Sequence, residues 1–78
     1  MILIDIDADL NVVDDEDRNM ARRLSAVAHL GPGDVAVAGK PGFWSWVQID
    51  EVTDTSIYFH QISAREAATH GELAVSIR

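Results

Sequence analysis

The stretch FWSWVQIDEVTDTSIYFHQI, residues 43–62, decides the fold. Strand side chains alternate between two faces, so Phe43, Ser45, Val47, Ile49 and Glu51 point one way, and Trp44, Trp46, Gln48, Asp50 and Val52 the other. If Thr53, Asp54 and Thr55 form a three-residue loop, Ile49 faces Phe59, Asp50 faces Tyr58, Gln48 faces His60 and Trp46 faces Ile62. One face of this hairpin is then apolar, with Val47, Ile49, Ile57 and Phe59. The other is an amphipathic patch of Trp44, Trp46, Gln48, Asp50, Tyr58 and His60.

Working outward, GKPG before the hairpin reads as a turn and DVAVAG before that as a short strand. SAREAATHG follows the hairpin. Its Ser63 and Glu66 have capping-box spacing and Gly71 stands at a stop, which predicts a short helical turn at about 64–70, then a last strand in ELAVSI. At the other end, ILIDID alternates Ile2, Ile4 and Ile6 with Leu3, Asp5 and Asp7, the period of a strand over residues 2–7. The next stretch, DDEDRNMARRLSAVAHLGPG, has acids in a first turn, Met20, Leu24, Val27 and Ala28 at helical spacing, and Gly31 with Pro32 as a stop. These features predict a helix over about 15–30 with Asp14 as N-cap.

The expected fold is therefore α+β in a single domain over residues 1–78. It is a small antiparallel barrel or curled sheet of about five strands, with the 15–30 helix after the first strand and the helical turn before the last. This element order, with LGPGDVAVAG opening the second strand, resembles that of small SH3-like β-barrel domains. The resemblance covers most of the chain and implies architecture alone. In texture the sequence also resembles short actinobacterial or actinophage proteins of unknown function.

With 78 residues and no cysteine, the chain has neither disulfides nor a zinc site to supplement its core. A domain this small cannot spare both tryptophans from packing, and one of them is expected to lie under the 15–30 helix against Met20 or Leu24. The net charge is -7, and its excess sits at the N-terminal end. Asp5, Asp7, Asp9, Asp14, Asp15, Glu16 and Asp17 form an acidic edge with no basic side chain among the first 17 residues. Such a surface repels phosphate backbones and anionic lipid, which argues against direct nucleic-acid or membrane binding and is compatible with a basic protein partner. No apolar run is long enough to span a membrane and the N-terminal stretch lacks signal-peptide features, so a cytoplasmic location is expected.

Residue chemistry points away from an enzyme. Asp5, Asp7, Asp9 and Glu16 match calcium-loop positions, but Leu10 occupies the place of the glycine that the loop needs for its turn. Alternate aspartates on the wet face of a strand explain the spacing without a metal, and no metal or other cofactor is assigned. His29 and His70 fall near predicted helix ends, where a cation is favoured. Only His60, beside Trp46 and Asp50, sits in a candidate site, and no nucleophile signature accompanies it.

The reading is a small, non-enzymatic, acidic binding module that regulates or inhibits a protein partner through its aromatic strand face. Self-association through that face would also bury apolar area. The alternative is a phage-type or plasmid-type acidic inhibitor, a nucleic-acid mimic that occupies the basic groove of a nucleic-acid enzyme.

Overall fold

A computed structural model of the chain describes residues 3–69. Five strands, β1 (Ile6–Asp7), β2 (Asn19–Arg22), β3 (Val35–Lys40), β4 (Phe43–Val52) and β5 (Ser56–Ile62), form one sheet in the order β1-β3-β4-β5-β2. β1 runs parallel to β3 and the other neighbours are antiparallel, so the sheet is mixed and curls into a nearly closed barrel compatible with an SH3-like fold. A short helix, α1 (Ala64–Ala68), follows β5, with Ser63 Oγ accepting from the Glu66 backbone N–H at 3.0 Å. The strand expected in ELAVSI lies outside the described residues, as do Gly71 and His70.

The β3–β4–β5 meander forms because each strand carries β-branched or aromatic residues in alternation and each turn has its own chemistry. Lys40 pairs with Phe43 across a two-residue Pro41–Gly42 loop, and Gly42 supplies the positive φ of 83° that proline followed by glycine favours. Gly39 has φ 133°, and a Cβ there would meet Phe43 O at 2.4 Å, so the backbone approach at this end of the hairpin demands glycine. At the other turn, Thr53 Oγ1 accepts from the Ser56 N–H at 3.0 Å.

Two clusters fill the interior. The main core gathers Val47, Ile49, Ile57 and Phe59 from the inner face of the hairpin with Ile6, Ala8, Leu10, Val27, Ala36 and Ala38. On the opposite face of the sheet, Val37, Trp46 and Ile62 pack with Ala67 of α1, and Ile4 and Val35 lie against them. β3 is accordingly buried on both faces, which is why it reads as a continuous run of Val and Ala.

The helix expected over 15–30 does not form. β2 and a 3₁₀ turn at Ser25–Val27 occupy that segment instead, and the first strand is shorter than residues 2–7. The Asp14 side chain, expected to cap a helix, closes a tight loop: its Oδ1 accepts from the N–H groups of Glu16 and Arg18, both at 2.9 Å. Asp17 N–H donates to Asp14 O, and Asp17 takes φ 60°, which turns the chain back into a strand. Aspartate serves helix caps and Asx turns by the same local bonds, so tertiary pairing decides between them. Here Asn19–Arg22 pairs with Ser56–Phe59 along the edge of the hairpin. Met20 and Leu24, apolar at helical spacing, are left 52% and 57% exposed.

Asn19 takes the place of an apolar residue in this arrangement. It is 2% exposed, and its Nδ2 donates to Leu10 O at 3.1 Å and Val12 O at 3.0 Å, tying the acidic segment to β2. Asn19→Ala removes both bonds and leaves these carbonyls without that donor, at an expected cost of about 1–3 kcal/mol. Urea denaturation of the variant measures this loss directly; a midpoint equal to that of the wild type would refute the role assigned to the amide.

Candidate functional site

The hairpin register places most of the expected patch on one face of the sheet. Ile49 pairs with Phe59, Gln48 with His60 and Trp46 with Ile62. The expected pairing of Asp50 with Tyr58 is displaced, because a β-bulge falls between Ile49 and Glu51 and Glu51 takes that position. A bulge sets two residues against one and re-aims side chains, so Glu51 lies on the Tyr58 side rather than with Val47 and Ile49. Val52 turns inward against the main core.

Both bulge residues bind neighbours on this outer face. Asp50 holds His60 through Nδ1, with Oδ1 at 2.8 Å and Oδ2 at 3.0 Å. Glu51 accepts from Arg18 Nη1 at 3.0 Å, and the Arg18 guanidinium lies over the Tyr58 ring, 4.4 Å from its centroid. Arg18 also bonds Asp14 through Nε at 3.0 Å. The hydrogen bond to Glu51, followed by that to Asp14, raises the Arg18 pKa above its ordinary value. Gln48, beside His60, donates through Nε2 to Gly33 O at 3.2 Å. Tyr58, His60 and Gln48 are thus half-buried side chains with fixed partners, while Met20, paired with Tyr58, adds exposed apolar surface.

The two tryptophans separate. Trp46 is 8% exposed within the cluster capped by Ala67 and serves the core, whereas Trp44, 39% exposed, stands with its ring at 89° to that of Trp46 and 5.9 Å away. Such edge-to-face packing orients the outer ring on the inner one. The cover over Trp46 is α1, not a 15–30 helix, and neither Met20 nor Leu24 belongs to its cluster. The patch that remains accessible is Trp44 and, farther along the hairpin, Gln48 and Asp50 of β4 with Tyr58 and His60 of β5.

The acidic edge is partly neutralised. Asp5 Oδ2 accepts from the Val37 N–H at 2.9 Å, Asp7 pairs with Lys40, Asp9 Oδ1 accepts from the Asn11 N–H at 3.0 Å, and Asp14 pairs with Arg18 at 3.0 Å. Glu16 lies 3.7 Å from Arg18 Nε, and Asp15 and Asp17 are exposed. Among the described residues no three His, Asp or Glu side chains are grouped to hold a metal, so Asp5, Asp7, Asp9 and Glu16 do not converge. His29 is exposed in the turn after Val27. No helix among the described residues is long and apolar enough to cross a membrane.

Sequence reasoning missed Arg18, Glu51 and Met20 as members of this face. Arg18 forms its ion pair with Asp14 across a tight loop, not along a helix. Comparison with protein-family models, with curated proteins and with solved structures finds no match.

The division between the tryptophans is measurable. Trp46→Ala is expected to cost about 3–5 kcal/mol, enough to unfold much of a domain of this size, whereas Trp44→Ala loses chiefly an edge-to-face contact of about 1 kcal/mol. Guanidinium melts of the two variants should differ accordingly, and equal losses would contradict the separation. Asp14 supplies a pH test. Backbone hydrogen bonding from the Arg18 N–H, helped by that from Glu16 and by the Arg18 side chain, lowers its pKa below the ordinary 3.8. Its contribution is therefore complete above that value and is lost as pH falls through the lower folded-state pKa. Asp14→Asn should flatten the acid limb of a stability-against-pH curve; an unchanged limb would reject this linkage.

Proposed function

We propose that the protein is a small, non-enzymatic binding module that regulates or inhibits a protein partner through the outer face of β4 and β5. The observation that supports this reading is the set of fixed side chains there: Asp50 on His60, and Glu51 on the Arg18 that stacks over Tyr58. Side chains already held in one geometry lose little entropy on docking, which favours affinity at a small interface. Exposed Trp44 adds a large apolar contact of the kind that dominates interface energetics, and Gln48 and Asp50 supply polar contacts on the same side. A basic partner suits the net charge of -7.

The acidic-inhibitor reading draws on Asp5, Asp7 and Asp9, exposed in alternation along the first strand region. It is the weaker of the two, because Asp5 and Asp7 already bind Val37 N–H and Lys40. Affinity capture from the native host, followed by titration of the captured partner, separates the two readings. Under the aromatic-face reading, Trp44→Ala or His60→Ala lowers affinity roughly tenfold or more without altering the fold, and added salt changes it little. Neutralising Asp5, Asp7 and Asp9 together leaves affinity within about twofold. A steep fall in affinity with ionic strength, together with indifference to the Trp44 and His60 variants, would transfer the function to the acidic edge.

A further inference from the structure

The outer face of β4 and β5 is uneven in its hydrogen-bond polarity. Nδ1 of His60 lies 2.8 Å and 3.0 Å from the two carboxylate oxygens of Asp50, which can only accept, so Nδ1 carries the proton. In the neutral ring Nε2 is then left as an acceptor. Gln48, the cross-strand partner of His60, donates through Nε2 to Gly33 O at 3.2 Å, which leaves Oε1 as the free end of its amide. The imidazole and amide donors are thus engaged within the chain, and among the described residues their acceptors remain. Charge runs the same way. Asp50 and Glu51 are exposed, and Arg18, the cation bonded to this face, is already shared between Glu51 and Asp14.

We propose that this face docks an arginine side chain of a basic protein partner, its guanidinium received by Gln48 Oε1, His60 Nε2 and the Asp50 carboxylate; this rests on the outer face being the partner-binding surface and adds the chemistry of the group it takes. Each carboxylate oxygen has more than one lone pair, so Asp50 can hold His60 and still accept from a ligand. Cross-strand partners keep their Cβ atoms about 5 Å apart, which puts Gln48 and His60 within the reach of one planar fork of donors. An ammonium is a point charge, whereas a guanidinium carries N–H groups in one plane that meet several acceptors at once. The chain itself shows the fit. Farther along the same hairpin the Arg18 guanidinium lies 4.4 Å from the Tyr58 ring centroid while bonding Glu51 and Asp14, both at 3.0 Å. The net charge of -7 attracts such a partner at longer range.

Titration of the isotope-labelled full-length chain with three blocked pentapeptides tests this by nuclear magnetic resonance. One peptide carries a central arginine, one a lysine and one citrulline, the uncharged isostere of arginine, in mildly alkaline buffer that keeps imidazoles neutral. The arginine peptide is expected to shift the Gln48 side-chain amide and the His60 ring, and the other two to bind more weakly by about tenfold or more. Gln48→Met and His60→Ala, which leave the core residues untouched, should each remove the preference for arginine. Equal binding of the arginine and citrulline peptides, or of the arginine and lysine peptides, would overturn the assignment, as would a preference that survives both variants. The peptides decide the docked group without a captured partner. A captured partner indifferent to Trp44→Ala and His60→Ala would instead count against the binding-module reading itself.

Discussion

Everything in this molecule depends on β4 being buried on both sides. With no cysteine and 78 residues, one sheet face cannot be left to solvent throughout, and β4 carries Val47 and Ile49 into the main core while Trp46 enters a second cluster on the reverse. β3 pairs with β4 in the sheet and likewise sends Ala36 and Ala38 into the main core and Val37 into the second cluster. α1 covers the reverse side only around Trp46. Among the described residues nothing covers the outer face beyond α1.

That outer face takes its character from the bulge at Asp50. In an unbroken ladder Glu51 would project toward the core, where an unpaired carboxylate is costly. The bulge turns Glu51 out beside Tyr58, where Arg18 meets it, and leaves Asp50 against His60. One irregular residue thus solves a burial problem and also assembles two hydrogen-bonded pairs on the accessible side. The same shift brings Val52 back to the core. An element required by packing has in this way arranged the surface that we regard as the binding face.

The acidic segment has a structural role alongside its charge. Asp14 organises the loop that reverses the chain, Asp5 and Asp9 accept backbone N–H groups, and Asn19 anchors the segment from beneath. Carboxylates so engaged hold the entry to β2, the strand that completes one edge of the sheet. This explains how a run rich in aspartate belongs to a folded unit despite the repulsion among its charges.

The hairpin was legible in the sequence because a period of two and a marked turn are local properties: β4 and β5 span Phe43–Val52 and Ser56–Ile62, and the pairs Ile49–Phe59, Gln48–His60 and Trp46–Ile62 are those expected, although the ladder beside the turn pairs Val52 with Ile57, not with Ser56, and the bulge restores the register beyond it. The Ser63 cap was legible for the same reason. Residues 15–30 were misread, since acids followed by apolar residues at helical spacing satisfy a local helix rule as well as a loop and an edge strand. Only the free edge of β5, a partner distant in sequence, decides between them by pairing with Asn19–Arg22. Tertiary structure likewise decided the fates of Trp44 and Trp46. Alternation places both on one face, but which part of that face is covered depends on where α1 comes to rest, and Ala67 rests on Trp46.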